Sequence, residues 1–284
     1  MNKVILLAGP TASGKSNLAI FLAKKINGEI INADSMQVFK DIKILSARPN
    51  NYYGIKHHLY GFLSVKINFS TGKWLKLVEK KISQNIKKKK TPIIVGGTGL
   101  YFKSILNGLA AIPEISNAKR QKIIKLYDKI GKENFYKKLI QLDPKCKNNL
   151  FINDKQRMIR FYEVKFYTKK SIFLWQKKSA NNLKNYHFVK IFLNFPRTYL
   201  LKKINKRFMQ MIDDGAVKEA QKLKKLRLSS RLNANNVLGL KELITYLNGK
   251  NTLDFAIEKS IIRTRQYIKR QMTWFRGQMK DWKD

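Results

Sequence analysis

The sequence predicts an α/β chain: a parallel sheet covered by helices on both faces, with a helical domain inserted between two of its strands. Three observations carry this. Short apolar runs alternate with helical stretches, which is how strands and crossover helices read in sequence. The block Gly9-Pro-Thr-Ala-Ser-Gly14-Lys15-Ser16 lies between the first run and the first helix. Between Pro113 and Asn185 the alternation stops and the chain becomes helical and basic.

In order, residues 4–8 (Val-Ile-Leu-Leu-Ala) read as a strand, and Lys15 opens a helix that the amphipathic segment from Asn17 carries to Ile26. A strand at 29–33, a helix at 71–89, a strand at 92–95 and a helix at 100–109 continue the alternation. Helices at 117–130, 132–141 and 155–169 form the insert. A strand at 188–193 returns to the sheet, and four helical stretches, 198–213, 217–226, 237–247 and 253–275, close the chain. The expected domains are a catalytic core over 1–112 and 186–284 and a helical insertion domain over 113–185.

Residues Gly9, Pro10, Thr11, Ala12, Ser13, Gly14, Lys15 and Ser16 have the spacing G-x-x-x-x-G-K-S of a phosphate loop, in the required order of strand, loop and helix start. The glycines let backbone N–H groups turn onto an anion, the helix N-terminus adds partial positive charge, Lys15 adds a full one, and the Ser16 hydroxyl is suited to Mg²⁺. A P-loop NTPase-like core holding a di- or triphosphate follows. Whose phosphate it is does not.

The formal net charge of +41 suggests a polyanionic partner such as nucleic acid. Lysine accounts for most of it, in a chain also rich in Asn and Ile, so a broad compositional bias explains the charge equally well. The twelve arginines are more telling, because Arg supplies a planar fork where Lys supplies a point charge. With a single cysteine, Cys146, no internal disulfide and no multi-cysteine zinc site can form, and the residue reads as an ordinary loop position. No apolar stretch approaches the roughly 18 residues of a membrane span, and a cytoplasmic location is expected.

In open parallel sheets ligands sit beyond the carboxyl ends of the strands. The second strand delivers Asp34, Ser35, Met36 and Gln37 to that edge, and the third ends in Gly96-Gly97-Thr98-Gly99-Leu100-Tyr101. Asp34 reads as a catalytic carboxylate, a helix cap or an outer Mg²⁺ partner. The glycine turn reads as a ligand surface or as a plain tight turn.

Taken with Asn153-Asp-Lys-Gln-Arg-Met-Ile-Arg160, with Arg207-Phe208, and with the run from Arg263 through Lys-Arg-Gln271-Met-Thr-Trp-Phe to Arg276, these blocks resemble the bacterial tRNA dimethylallyltransferases in family order. The resemblance spans essentially the whole chain. It implies transfer of the dimethylallyl group of dimethylallyl diphosphate to the N6 amine of the adenosine 3′-adjacent to the anticodon, with tRNA (its anticodon stem-loop) as partner and the phosphate loop gripping the prenyl diphosphate. By the same resemblance, Arg207 clamps the diphosphate, and tRNA contacts fall at Asp34, Ser35, Met36, Gln37, Thr98 and Arg120 and at Gln156, Arg157, Met158, Ile159 and Arg160.

The chemistry of those roles can be argued. An allylic diphosphate ionises when its leaving group is neutralised, which calls for Mg²⁺ and the loop cations. Asp34 is the expected acceptor of the amine proton, and Thr98 a hydrogen-bonding partner of donor or adenosine. The adenosine must leave its stack to be reached. Trp274 and Phe275 follow the helix period and read as core anchors. One segment departs from the family: Val237-Leu-Gly-Leu-Lys-Glu242 replaces a Cys-Val-Gly-Tyr-Arg-Gln stretch, which puts its tRNA contacts in doubt. A monomer is expected. A nucleotide or small-molecule kinase and a non-catalytic RNA-binding module are the rival readings.

Overall fold

The computed structural model describes residues 2–177 and 181–282. The chain runs β1 (Lys3–Ala8), α1 (Lys15–Lys25), β2 (Gly28–Asn32), β3 (His57–His58), α2 (Thr71–Lys87), β4 (Thr91–Gly96) and α3 (Gly99–Asn107). It continues through α4 (Asn117–Leu142), α5 (Lys155–Thr168), α6 (Ile172–Lys177), β5 (His187–Phe192), α7 (Arg197–Asp213), α8 (Ala216–Lys225), α9 (Leu240–Leu247) and α10 (Leu253–Gln278). Two units separate: Met1–Leu106 with Leu183–Asp284, and Asn107–Asn182.

In the first unit every strand pairing is parallel, in the order β3-β2-β4-β1-β5. Leu6 of β1 sits between Ile94 of β4 and Lys190 of β5. Central strands covered on both faces must be apolar throughout, and Val4, Leu6, Leu7, Ile30, Ile31, Ile93 and Ile94 are all fully buried. β3 was absent from the sequence reading because a two-residue His-His strand has no apolar period to detect. Its ring partner is Glu29 in β2, whose carboxylate lies 2.6 Å from His58 Nε2.

A second core lies under the C-terminal helices, where Phe208, Val237, Leu240 and Leu243 meet Val38, Phe39, Ile42 and Leu45 of the long loop after β2. That loop is pinned by one carboxylate. Glu219 of α8 accepts the backbone N–H groups of Lys43, Ile44 and Leu45 at 2.7, 2.9 and 2.9 Å. Charge-assisted bonds are the strong class, and three converge on one side chain. Glu219→Gln is therefore expected to cost about 2 kcal/mol, seen as a lower urea midpoint at unchanged slope.

The second unit is helical. α4 contains a break at Gly131 (φ 75°, ψ 170°), so its two arms correspond to the two helices expected there. Phe135 and Leu139 from α4 pack on Met158, Ile159 and Tyr162 from α5, with Cys146 among them. Cys146 is therefore core rather than an ordinary loop residue: it is fully buried, and burial together with the nearby Asp143 carboxylate pushes its thiol up to about 12.

Candidate active site

The loop after β1 is shaped by backbone conformations that few residues adopt. Ala12 has φ 67° and Gly14 φ 83°, which turns the chain into α1 without any side chain capping the helix. The leading N–H groups of an uncapped helix have no internal acceptor and are available to an anion. Ser13 is buried, its N–H donating to Pro10 O at 3.3 Å. Lys15 folds back over the loop, its Nζ 2.6 Å from Pro10 O and 3.4 Å from Ser13 Oγ.

Asp34 lies at the carboxyl end of β2, held by short-range bonds. Its N–H donates to Asn32 Oδ1 at 2.8 Å and its Oδ1 accepts from Met36 N at 2.9 Å. Asn32 is itself fixed: its Nδ2 donates to Asp34 O and Leu59 O, and its carbonyl takes the Trp74 indole N–H at 3.0 Å. Tyr101 stacks on Trp74 with ring centroids 3.9 Å apart. Thr98 Oγ1 accepts from Ser35 N at 3.0 Å and lies 3.3 Å from Ser35 Oγ. Thr98 thus joins the second glycine turn to the Asp34 loop.

Arg207, on α7, faces the same region. Lys15 is pulled down to about 7, chiefly by burial, with Asp34 opposing and Arg207 assisting. Burial likewise lowers Arg207, with Asp34 opposing. Neither cation has an ion-pair partner within 4 Å among the described residues. Two cations and one carboxylate leave a surplus of positive charge in a partly desolvated crevice, the arrangement an anionic ligand would neutralise. Tyr60, Tyr101 and Tyr267 also feel Asp34, and each is raised, first by burial.

A titration follows from the Lys15 environment. An anion binds the ammonium form, so above pH 7 the free site must take up a proton on binding. Diphosphate-ligand affinity is expected to fall as pH rises from 7 to 8.5, approaching about tenfold per unit. Calorimetry in buffers of different ionisation enthalpy would show the accompanying proton uptake, and Lys15→Ala would lack it.

The glycines of the second turn have a different use from ligand approach. A Cβ at Gly96 would lie 2.1 Å from the Ala33 backbone, one at Gly97 2.4 Å from Gln271 Nε2, and one at Gly99 2.1 Å from the Trp274 ring. These glycines admit protein atoms. Trp274 packs here on the turn, whereas Phe275 is buried beside Phe102 and Phe192.

The remaining expected contacts divide. Ser35 and Met36 sit beside Asp34, but Met36 packs on the second core, and Gln37 spends both amide hydrogens on Ser46 O and Ala47 O at 3.1 and 3.0 Å. The other expected contacts lie in the second unit. Gln156 and Arg157 are exposed at the start of α5, where Asp154 caps Arg157 N at 3.0 Å and pairs with its Nε at 3.3 Å. Arg160 and Arg120 reach the buried Glu163 at 2.7 and 3.4 Å. Met158 and Ile159 are corrected: both are buried in the helical core, so their side chains cannot meet RNA. Gln271, within the run from Arg263 to Arg276, is a further residue of this region that no local sequence pattern reveals: it bonds Thr11 N and Gly97 O.

In the departing segment, Val237 and Leu240 are buried and Gly239 (φ 85°) abuts the Phe208 ring. Glu242 pairs with Arg263 at 2.7 Å.

Sequence models of two descriptions cover this arrangement: IPP transferase over residues 37–278 and isopentenyl transferase over residues 2–56. The chain belongs to the IPP transferase family. A tRNA dimethylallyltransferase of Pelagibacter ubique is 51% identical over 283 residues, covering 99% of this chain and 90% of that one. One from Rickettsia massiliae is 45% identical over 281 residues, covering 98% and 77%. Among solved structures, a tRNA isopentenylpyrophosphate transferase of Staphylococcus epidermidis aligns with a TM-score of 0.69 at 33% identity, over 98% of this chain and 91% of that one. A eukaryotic dimethylallyltransferase acting on tRNA aligns with a TM-score of 0.82 at 29% identity, over 97% and 70%. As in other IPP transferases, the fold is a P-loop NTPase-like α/β core. Among the described residues no helix is long and apolar enough to cross a membrane.

Proposed function

We propose that this chain transfers the dimethylallyl group from dimethylallyl diphosphate to the N6 amine of the adenosine 3′-adjacent to the anticodon in tRNA, releasing diphosphate. It is a prenyl transferase of the tRNA-modifying kind, in keeping with its relatives. The observation that carries the residue assignment is the unpaired cation excess of Lys15 and Arg207 around Asp34.

The donor's diphosphate lies on the N–H groups at the start of α1, against Lys15 and Arg207. These charges stabilise the departing diphosphate as the C1–O bond breaks. The N6 lone pair forms the new bond to C1, and the N6 proton passes to Asp34, whose Oδ1 takes the Met36 contact and whose Oδ2 has no hydrogen bond among the described residues. Thr98 holds the Asp34 loop in register. In the second unit Gln156, Arg157, Arg160 and Arg120 supply forked donors for unstacked anticodon bases.

Mg²⁺ fits the same residues. No cluster of three carboxylate, histidine or cysteine ligands exists among the described residues, but Mg²⁺ beside a diphosphate needs few protein ligands, and the Ser16 hydroxyl is exposed at the helix start. When bound there it would neutralise leaving-group charge. The reading further includes a cytoplasmic enzyme working as a monomer.

The test is incubation with labelled dimethylallyl diphosphate, Mg²⁺ and total tRNA, followed by nucleoside mass spectrometry. Label on N6 of adenosine supports the reading. Label elsewhere, or hydrolysis of ATP with no modified nucleoside, overturns it.

A further inference from the structure

The phosphate loop is held from outside by a residue distant in sequence. Gln271 of α10 is buried, and both ends of its amide are used. Its Oε1 accepts the Thr11 backbone N–H at 3.0 Å, and its Nε2 donates to Gly97 O at 2.9 Å. One side chain therefore joins the phosphate loop to the second glycine turn. Gly97 has no Cβ because that position is filled by the Gln271 amide.

Two neighbours on the same helix make this a face rather than an isolated contact. Tyr267, Gln271 and Trp274 are spaced at i, i+4 and i+7, one stripe of a helix. Tyr267 feels the Asp34 charge, and Trp274 fills the space beside Gly99. α10 thus borders the crevice along this stripe.

The Thr11 N–H is taken by Gln271, so Thr11 does not lend its backbone donor to the diphosphate. What the bond does instead is orient the loop whose next residue, Ala12, is held at φ 67°.

We infer that Gln271 is a positioning residue of the donor site: it fixes the phosphate loop against the second glycine turn, so that the loop receives the prenyl diphosphate without reordering. The inference rests on the proposed placement of the donor in that loop. A loop that must order itself on binding loses affinity for its ligand, while a step made later is unaffected.

Two variants separate this role from simple packing. Gln271→Met keeps the length of the side chain and removes both bonds. It is expected to raise the donor dissociation constant and KM about tenfold, with kcat and the tRNA KM within about twofold. Gln271→Glu keeps the acceptor for Thr11 but sets a second carboxylate oxygen against Gly97 O and adds negative charge near the diphosphate. Its donor affinity is expected to be low at pH 8 and to recover as pH falls to about 5.5, because the protonated acid again donates to Gly97. Wild-type protein in parallel shows only the Lys15 titration, which is complete below about pH 6, so the ratio of variant to wild-type affinity is the readout: it rises toward one at about pH 5.5. Donor affinity unchanged in both variants, with only a lower melting temperature, would overturn the inference, as would equal weakening for donor and tRNA. If Lys15→Ala also leaves donor affinity intact, the placement of the donor itself has failed, which distinguishes the two.

Discussion

Lys15→Ala is expected to weaken dimethylallyl diphosphate binding about a hundredfold or more while leaving tRNA affinity within about twofold, and to raise the melting temperature of the free protein. In the proposed placement of the donor, the first effect comes from removing a partly desolvated ammonium set against the diphosphate, a class of truncation that costs several kcal/mol. The division between substrates follows from position, since Lys15 lies over the loop it belongs to, bonded to Pro10 O and Ser13 Oγ. The third effect has its own sign. The Lys15 pKa in the folded protein is below the unfolded value, so between about pH 7 and 10 the unfolded chain binds more protons. Near neutrality that imbalance opposes folding, and deleting the amine relieves it, by several degrees on the usual scale for a domain of this size. Equilibrium dialysis with labelled donor, filter binding of tRNA and a thermal melt in the absence of ligand check the three parts. A lower melting temperature, or equal loss of both affinities, would contradict the assignment.

Asp34→Asn is expected to lower kcat about 10²- to 10⁴-fold with donor affinity unchanged or improved. Asparagine retains the Oδ1 that accepts from Met36 N, so the turn after β2 is kept while the proposed proton acceptor is lost. Improved donor binding would follow from removing a negative charge beside a diphosphate. Asp34→Ala also loses the turn bond, and comparison of the two variants separates geometry from charge. Single-turnover transfer at saturating substrates reads the chemical step directly. An Asp34→Asn enzyme with wild-type kcat would move the proton acceptor elsewhere.

How much of this was legible depended on distance along the chain. The phosphate loop is a contiguous string whose chemistry follows from residue types at fixed spacing, and Asp34 was found by the rule that parallel strands open ligand sites at their carboxyl ends. Gln271 was not, because its partner Thr11 is 260 residues away and nothing in a local period reports such a pairing. The glycines at 96, 97 and 99 were visible but ambiguous, since absence of a Cβ does not say whether a ligand or another helix fills the space. Met158 and Ile159 could have been separated from Gln156, Arg157 and Arg160 by helical period alone, which puts the two sets on opposite faces of α5. The short β3 and the Glu219 contacts to a loop carry no pattern at all, being set by tertiary packing.

The lone sulfhydryl of this protein has a practical corollary. Cys146 is sequestered among Phe135, Leu139 and Tyr162 and held in its unreactive protonated form at neutral pH. Maleimide chemistry on the unaltered polypeptide should therefore find almost no target. A thiol installed on the outer side of α5, for instance by Gln156→Cys, would carry a fluorophore with negligible background, giving an optical reporter for arrival of the nucleic acid without first stripping out the native sulfur.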